Sequence, residues 1–438
     1  MKGIPQMIWN KEMECADRET MRALQLEKLQ KTVKYAYDRV PHYKNAMDKA
    51  GVKPEDIKTL EDITRIPFIT KEDLAANYPT GLFAQPMSEI KRIHASSGTT
   101  GKPKIVGYTQ NDLDMWGECV ARGLTMAGAD KNDIVHVSYG YGLFTGGLGA
   151  HIGAETIGAT VIPMSSGNTQ KQLMFMQDMK STVLCCTPSY ALTLAEGLKK
   201  AGLTPDDIHL KAGVFGAEPW TQGMREEIEK GLGLRAHDIY GLSEIMGPGV
   251  SMSCAYNKGM HIQEDYFYVE IIDPDTLEVL PDGEKGELVI TTLGKEGMPL
   301  IRYRTRDICY LMRDKCECGR TTVRMSRVFG RTDDMLIIRG VNVFPSQIET
   351  VISKFEELTI NYMIYVGREN NKDTFDLEVE LAPGLAIDNI KFIEDLRSRL
   401  DHALRDMLGI GCKTKFLNEG TLPRSEGKAV RVKDTRKL

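Results

Sequence analysis

The sequence lacks the features of a secreted, membrane-spanning or nucleic-acid-binding protein. Its 438 residues include no apolar run that approaches the roughly 20 residues of a membrane span. The N-terminal residues have no apolar stretch bounded by a cleavage site, as a signal peptide would. A net charge of -5 gives no bulk attraction for nucleic acid. We therefore expect a cytoplasmic protein with no nucleic acid and no membrane among its partners.

The cysteine content argues against a disulfide-rich fold. Nine cysteines is an odd number, and they are spread along a long chain without a secretion signal. The apolar fraction of 42% and the charged fraction of 27% are those of a soluble globular protein. The length suits two or three domains with a substantial core.

The order of apolar runs predicts an α/β fold. Residues 1–85 have mainly helical patterns, whereas short apolar runs alternate with helical patterns from residue 90 to 241. That alternation indicates βαβ units on a parallel sheet. Residues 266–313 are rich in strand patterns and predict a β-subdomain. We predict a large N-terminal domain over 1–331 and a small α+β C-terminal domain over 332–438.

A loop rich in glycine and hydroxyl groups is the most informative local feature. Strand patterns at 90–95 and 105–109 flank it, so the loop joins two strands. Glycine lets successive N–H groups turn around an anion, and hydroxyls and lysines add donors, so the loop suits the triphosphate of ATP. It departs from a Walker A loop, and a polar hairpin without a ligand is the alternative. Its residues are Ser96, Ser97, Gly98, Thr99, Thr100, Gly101, Lys102, Pro103 and Lys104.

Three later segments carry candidate binding groups. Glu244 comes after a predicted glycine turn at Gly241, where a carboxylate would suit Mg²⁺ beside a triphosphate. Asp307 ends a strand pattern, and its carboxylate can accept two hydrogen bonds from a ribose diol. Lys428 lies in a glycine-bearing loop near the C-terminus. Taken singly, each has an ordinary interpretation: Glu244 as an exposed loop glutamate, Asp307 as part of a surface ion-pair cluster, and Lys428 as part of a solvated tail.

Together and in this order, the segments resemble the adenylate-forming superfamily, which includes acyl-CoA synthetases, peptide-synthetase adenylation domains and luciferases. The resemblance extends over residues 96–428, and four ordered motifs make it far more specific than any one of them. Within the superfamily the chain is most similar to the phenylacetate-CoA ligases, through its short length and three segments. These are residues 139–147 (YGYGLFTGG), 215–220 (FGAEPW) and 339–345 (RGVNVFP).

The resemblance implies an ATP-dependent aryl-CoA ligase that makes phenylacetyl-CoA, AMP and pyrophosphate from phenylacetate, ATP and CoA through an acyl-adenylate. It implies that the loop at 96–104 wraps the β- and γ-phosphates and that Glu244 binds Mg²⁺. Asp307 would hold the ribose hydroxyls, and Arg331 would support ribose or phosphate. The adenine site would be formed by Gly216, Ala217, Glu218, Pro219, Tyr240 and Gly241.

The resemblance also implies a mobile C-terminal domain that serves two half-reactions. Lys428, the catalytic partner of Glu244, would bridge the substrate carboxylate and the α-phosphate. Asp333 has the hinge position. After pyrophosphate leaves, rotation would withdraw Lys428 and bring Gly340 and Val341 toward the site to guide the CoA pantetheine. A homodimer formed through the N-terminal region is implied as well.

A glycine-rich aromatic segment is the candidate acid pocket. Tyr139, Tyr141 and Phe144 alternate with glycines and, with Gly216, would present aromatic faces to an aryl acid. The alternative is that the aromatic rings pack in the core. The resemblance favours an arylacetic acid over a fatty acid, with indoleacetate or a substituted phenylacetate still open.

A set of cysteines and a histidine offers a second metal site. Cys316 and Cys318 form a C-x-C, and Cys254 and His261 lie between the Glu244 motif and the β-subdomain. The four would complete a closed tetrahedral Zn²⁺ site, which would be structural because it has no open position. C-x-C is less specific than paired C-x-x-C motifs, so unpaired reduced cysteines are the alternative.

Two other functions stay open from the sequence. An adenylyltransferase would leave AMP on a non-CoA acceptor such as a deazaflavin coenzyme, and CoA dependence distinguishes it from a ligase. A non-catalytic nucleotide-binding protein is the second alternative. The joint presence of Glu244, Asp307 and Lys428 counts against it.

Overall fold

A computed structural model describes residues 7–96, 103–332, 336–339, 341–369, 372–424 and 430–436. The chain divides into two units. The first contains Met1–Cys186, Asp206–Ala217 and Leu234–Arg327, and the second contains Thr187–Pro205, Glu218–Gly233 and Val328–Leu438. Two segments from the predicted N-terminal domain thus group with the C-terminal residues, and the division at residue 331 stays a prediction.

Several helices begin where a side chain caps them. The Asp17 side chain accepts a hydrogen bond from the Thr20 amide at the start of the helix Arg18–Arg39, and Thr109 and Asp112 form a capping box at the start of the helix Gln110–Met126. The helical N-terminal region is confirmed. In chain order the helices are α1 (Lys11–Glu14), α2 (Arg18–Arg39), α3 (Pro41–Ala50), α4 (Lys71–Ala76), α5 (Gln110–Met126), α6 (Thr145–Thr156), α7 (Thr169–Asp178), α8 (Pro188–Lys200), α9 (Gln222–Leu232), α10 (Pro345–Ile352) and α11 (Ile390–Leu408).

The strands follow the apolar runs of the sequence. They are β1 (Arg92–Ser96), β2 (Lys104–Tyr108), β3 (Ile134–Val137), β4 (Thr160–Ile162), β5 (Val183–Cys186), β6 (Ala212–Gly216), β7 (Arg235–Leu242), β8 (Gly247–Ser253), β9 (Met260–Ile262), β10 (Phe267–Ile272), β11 (Gly286–Thr292), β12 (Tyr303–Cys309), β13 (Leu311–Met312), β14 (Arg324–Met325), β15 (Gly330–Arg331), β16 (Leu336–Ile338), β17 (Val341–Val343), β18 (Leu358–Glu369), β19 (Lys372–Leu381), β20 (Lys413–Leu417) and β21 (Val432–Asp434).

The main sheet of the first unit has the strand order β13-β14-β9-β8-β7-β6-β5-β3-β4. Neighbouring strands in the part of the sheet made of β4, β3, β5, β6 and β7 are parallel, which confirms the predicted βαβ units. Strands β8, β9, β14 and β13 extend the sheet beyond β7 in antiparallel pairs. Parallel strands end at the same edge of a sheet, so the segments that follow β6 and β7 meet there.

The predicted β-subdomain is confirmed in the first unit. Strands β10, β11 and β12 pair antiparallel in that order. Gly283, in the predicted turn between β10 and β11, has a φ of +88°, which glycine adopts without strain. This small sheet matters for function because β12 carries both Tyr303 and Asp307.

The C-terminal part of the second unit has the predicted α+β pattern. Strands β20, β19, β18 and β21 form one sheet in that order, and β16 and β17 form a hairpin. Helix α11 buries a stripe of residues spaced three or four apart, which is the period of an amphipathic helix. The stripe shares a core with β18 and β19, and it consists of Ile393, Leu396, Leu400, Leu404 and Leu408.

Among the helices within the described ranges, none has both the length and the apolar composition that a membrane span requires.

Candidate active site

The β1–β2 hairpin brings together the two ends of the predicted phosphate loop. Ser96 and Lys104 are paired across the hairpin, which confirms that the loop joins two strands. The Ser96 hydroxyl is buried, and it has no hydrogen-bond partner within the part of the chain that the structure describes. The rest of the loop, Ser97, Gly98, Thr99, Thr100, Gly101 and Lys102, lies outside the described residues.

Glu244 is held in a short turn that follows β7. Its side chain is buried, with 4% exposed, and its Oε1 accepts a hydrogen bond of 2.6 Å from the Tyr303 hydroxyl. Among the described residues, Tyr303 is the one hydrogen-bond donor to this carboxylate. The exposed-loop interpretation of Glu244 is therefore wrong. A buried carboxylate with one oxygen already oriented suits a hard cation such as Mg²⁺.

The predicted glycine turn before Glu244 is also wrong. Gly241 lies in strand β7, and the turn comprises residues 243–246 instead. A Cβ atom at Gly241 would lie 1.7 Å from the Gly247 carbonyl oxygen of β8. Glycine is needed at this position because two strands approach closely, not because the chain turns.

Asp307, the predicted ribose-binding residue, pairs with Tyr240. Tyr240 Oη donates a hydrogen bond of 2.6 Å to Asp307 Oδ2, and Asp307 is 3% exposed. Burial, and then the negative charge of Asp307, raise the pKa of Tyr240 well above its ordinary value, so the hydroxyl keeps its proton. Tyr240 thus orients the carboxylate, whose oxygens are the kind of acceptor that a diol requires.

We predict that Tyr240→Phe raises the KM for ATP about tenfold, because a hydrogen bond to a charged group contributes roughly 1.5 kcal/mol or more. The ring that would enclose the adenine is kept, so only the orientation of Asp307 is lost. Steady-state kinetics at saturating acid measure the effect. Tyr43→Phe is the matched control, because it removes a buried hydroxyl that donates to the Pro299 carbonyl. Equal changes in the two variants would contradict the assignment.

The predicted adenine segment follows β6. A Cβ atom at Gly216 would lie 2.1 Å from the Ile239 carbonyl oxygen, so only glycine fits there. Ala217 has a φ of +72°, a left-handed conformation that is unusual for alanine and typical of functional sites. In the second unit, Glu218 Oε1 accepts a hydrogen bond of 2.6 Å from the Ser189 amide, in the first turn of α8. The carboxylate caps that helix.

The three aromatic residues of the candidate acid pocket have different surroundings. Tyr139 is 7% exposed and its hydroxyl lies 3.5 Å from the Val214 carbonyl oxygen, so it packs in the core. Phe144 is 54% exposed, so the core-packing alternative is wrong for this ring. The Tyr141 hydroxyl lies 3.2 Å from His151 Nδ1, and His151 Nε2 lies 3.1 Å from Glu155 Oε1.

The four predicted zinc ligands meet in the first unit. The ligand atoms of Cys254, His261, Cys316 and Cys318 all lie within 4.8 Å of one another, and all four residues are buried. Cys254 Sγ lies 3.7 Å from Cys316 Sγ, and Cys318 Sγ lies 3.3 Å from His261 Nε2. His261 Nδ1 is 3.0 Å from the Thr322 hydroxyl, so the ring has a partner that fixes its orientation. This donor set fits a structural Zn²⁺.

The loop that carries Cys316 and Cys318 also anchors the N-terminal segment. The Arg320 guanidinium forms a fully buried ion pair with Glu14 and donates to the Met7 carbonyl at 2.7 Å. The Thr321 amide donates to the Glu14 carbonyl at 3.1 Å. The sequence does not reveal this anchor, since its two partners are about 300 residues apart.

Two residues that contact the Glu244 turn, Tyr303 and Lys295, could not be identified from the sequence. Lys295 is 1% exposed, and burial lowers its pKa to about 8. In the sequence it looks like a surface charge, because it lies in the polar segment LGKEG. Of the remaining predicted site residues, Asp333, Gly340 and Lys428 lie outside the described ranges. Arg331 and Val341 lie in strands β15 and β17 of the second unit.

Two protein-family models match the chain. The AMP-binding enzyme family matches residues 13–294, and the AMP-binding enzyme C-terminal domain matches residues 340–436. The chain belongs to the AMP-binding, adenylate-forming enzymes and, within them, to the phenylacetate-coenzyme A ligase family.

Individual relatives cover nearly the whole chain. The phenylacetate-coenzyme A ligase of Thermus thermophilus is 50% identical over 98% of this chain and 100% of its own length. The phenylacetate-coenzyme A ligase of Escherichia coli is 51% identical over 97% of each chain. The crystal structure of a 2-hydroxyisobutyryl-CoA ligase, in the postadenylation state and in complex with 2-HIB-AMP, is 28% identical. It has a TM-score of 0.92 and covers 100% of this chain and 94% of its own.

Proposed function

We propose that the protein is an ATP-dependent phenylacetate-CoA ligase, which converts phenylacetate, ATP and CoA to phenylacetyl-CoA, AMP and pyrophosphate. The observation that carries the proposal is the identity of about 50% with phenylacetate-coenzyme A ligases over nearly the full length of both chains. The buried Glu244 and the Tyr240–Asp307 pair support it from the geometry. The comparisons do not favour an adenylyltransferase with a non-CoA acceptor or a non-catalytic nucleotide-binding protein.

The chemistry explains why ATP is required. A carboxylate is a poor acyl donor because oxide would have to leave. Attack of a carboxylate oxygen on the α-phosphorus of ATP forms the acyl-adenylate and releases pyrophosphate. The thiol of CoA then attacks the carbonyl carbon, and the carbon–oxygen bond to AMP breaks. The protein needs no nucleophile of its own, and it works by binding, orientation and charge stabilisation.

The residue roles are proposals that the geometry supports. Glu244 would hold Mg²⁺, which neutralises charge on the phosphate oxygens when it is bound. Asp307 would accept hydrogen bonds from the ribose hydroxyls while Tyr240 orients it. Ser96 and Lys104 would flank the triphosphate at the two ends of the loop. Gly216 and Ala217, at the end of β6, would lie against the adenine, as the family resemblance implies.

The C-terminal residues would act in turn on the two half-reactions. Lys428 would bridge the carboxylate and the α-phosphate during adenylation, and Asp333 would serve as the hinge between domains at 1–331 and 332–438. Gly340 and Val341 would guide the pantetheine of CoA in the second step. The AMP-binding enzyme C-terminal domain family matches residues 340–436 separately, and this match supports a distinct domain there.

An arylacetate is the proposed acid. Phe144 is the exposed ring of the candidate pocket, and Tyr141 is joined to His151 and Glu155 by a chain of polar contacts. An exposed ring beside a glycine-rich segment suits the flat face of an aryl group. Indoleacetate and substituted phenylacetates are the competing substrates.

A structural Zn²⁺ at Cys254, His261, Cys316 and Cys318 completes the proposal. Their mutual distances and burial support it, and the metal would fasten the loop of Cys316 and Cys318 to that of Cys254. We further propose a cytoplasmic homodimer that forms through the N-terminal region, on the family resemblance alone.

The acid specificity is tested by measuring pyrophosphate release with ATP and Mg²⁺ for phenylacetate, indoleacetate, benzoate and a fatty acid, each with and without CoA. The proposal predicts that phenylacetate gives the highest kcat/KM and that AMP and the thioester form in equal amounts only when CoA is present. A higher kcat/KM for indoleacetate would make indoleacetate the assigned substrate. A product in which AMP stays attached to an acceptor, formed without any need for CoA, would overturn the ligase assignment.

A further inference from the structure

A fully buried lysine lies behind the Glu244 turn. Lys295 is 1% exposed, and its Nζ donates to the carbonyl oxygen of Glu244 at 3.0 Å and to that of Ile245 at 2.6 Å. Its Nζ also lies 4.9 Å from the centre of the Tyr108 ring. Two carbonyls and an aromatic face therefore surround the three protons of the ammonium group.

The same turn accepts a third hydrogen bond from a buried side chain. The Tyr108 hydroxyl donates to the Ser243 carbonyl at 2.9 Å. Three consecutive carbonyls, those of Ser243, Glu244 and Ile245, thus each accept a hydrogen bond from Tyr108 or Lys295. The side chain of Glu244 is oriented separately by Tyr303. Both the backbone and the carboxylate of this residue are fixed.

The backbone that follows Lys295 is tied to helix α5. Asp112, in the first turn of α5, accepts hydrogen bonds from the amides of Glu296 at 2.7 Å and Gly297 at 2.8 Å. The chain that carries Lys295 therefore has an anchor besides the bonds of its ammonium group to the turn. Lys295 thus links the Glu244 turn to α5.

Burying an ammonium group is costly unless it is paired and hydrogen-bonded, and an apolar side chain would avoid that cost. The negative charges of Asp112 and Glu244 offset part of it. We propose that Lys295, with Tyr108 beside it, is a positioning residue that presents Glu244 to Mg²⁺ during adenylation. This inference rests on the proposed function, in which Glu244 is the Mg²⁺ ligand. Lys295 touches no substrate and acts through the Glu244 backbone.

The test compares Lys295→Met with a matched control, Lys28→Met. Lys28 makes the same kinds of contact elsewhere, since its Nζ donates to the Asp265 carbonyl at 2.7 Å and lies 4.7 Å from the centre of the Tyr266 ring. The Mg²⁺ concentration that gives half-maximal AMP formation is measured for each variant. Binding of ATP as a function of Mg²⁺ is measured by calorimetry, and melting temperatures are recorded alongside.

We expect the half-saturating Mg²⁺ concentration to rise roughly tenfold or more in Lys295→Met, as is typical when a residue that orients a metal ligand is lost. It should stay at the wild-type value in Lys28→Met. Tyr108→Phe removes one hydroxyl and keeps the ring, so it should fold even if Lys295→Met does not, and we expect a rise of roughly threefold.

The inference is overturned if Lys295→Met and Tyr108→Phe melt at lower temperatures but keep the wild-type Mg²⁺ dependence. That result would make Lys295 purely structural. If Lys295→Met does not fold, the Tyr108→Phe measurement decides. Failure of the proposed function has a different signature: the wild-type protein would form no AMP with phenylacetate, and the Mg²⁺ dependence of ATP binding would still test Lys295.

Discussion

Replacing Lys428 by alanine is expected to lower the rate of pyrophosphate release roughly 100- to 1,000-fold, the usual cost of removing a donor aimed at charge that develops in a transition state. The thioester half-reaction, started from synthetic phenylacetyl-AMP and CoA, should stay within about threefold of wild type, because the lysine would be withdrawn by then. Rapid-quench assays of the two half-reactions measure both rates.

The matched control for Lys428→Ala is Lys433→Ala. Lys433 is exposed on strand β21 near the same end of the chain, so its loss removes an equal charge without touching the proposed chemistry. We expect wild-type rates in both half-reactions. An equal loss of both half-reactions in Lys428→Ala would count against the rotation of the C-terminal domain.

Disrupting the cysteine cluster should remove one equivalent of zinc and destabilise the first unit. In Cys318→Ser we expect the bound zinc to fall from about one equivalent per chain to nearly none, because a closed site needs all four ligands. The melting temperature should fall by roughly 5–10 °C, since binding of a structural metal contributes directly to folding free energy. Elemental analysis and calorimetry of protein purified without added metal measure the two quantities.

The control for the cluster is Cys15→Ser. Cys15 is half-buried beside the same loop, with its Sγ 3.5 Å from the Gly319 carbonyl oxygen, yet it is not one of the four clustered residues. Its replacement should leave the zinc content unchanged. A wild-type protein that contains no zinc, or a Cys318→Ser variant that retains it, would refute the metal site.

The contacts of Arg320 add a second readout for the cluster. Arg320 and Thr321 bind the segment at residues 7–16, so loss of the metal should free this segment as well as the loop. Limited proteolysis should then cut near residues 7–16 in Cys318→Ser and not in Cys15→Ser. Unchanged protection of that segment would show that the anchor does not depend on the cluster.

Elements with strong local patterns could be predicted from the sequence. The apolar runs of β5 and β6 are continuous because parallel strands are buried on both faces, so these strands can be recognised without knowledge of the fold. The cysteine and histidine set was also predictable, because few residue types bind zinc and their chemistry limits the possible partners. In both cases the residue type itself carries the signal.

Contacts that depend on register between distant segments could not be predicted. Tyr303 meets Glu244 because β12 lies near the end of β7, and no local pattern encodes that approach. Gly241 has the sequence signal of a turn, yet a glycine is needed there because strand β8 lies too close for a side chain. For Lys295 the sequence predicts the wrong environment. A lysine beside glycines predicts solvent exposure, whereas this lysine is buried against partners from a distant segment of the chain.

If the carboxylate attacks the α-phosphorus of ATP, one of its oxygen atoms must end in AMP, and isotopic labelling follows that atom. Phenylacetate labelled with ¹⁸O at both carboxylate oxygens is converted with ATP and CoA, and the nucleotide products are analysed by mass spectrometry. We expect one ¹⁸O atom in AMP, left behind when the thiol displaces the adenylate, and none in pyrophosphate. Label in inorganic phosphate together with ADP would indicate an acyl phosphate and would contradict the adenylate mechanism.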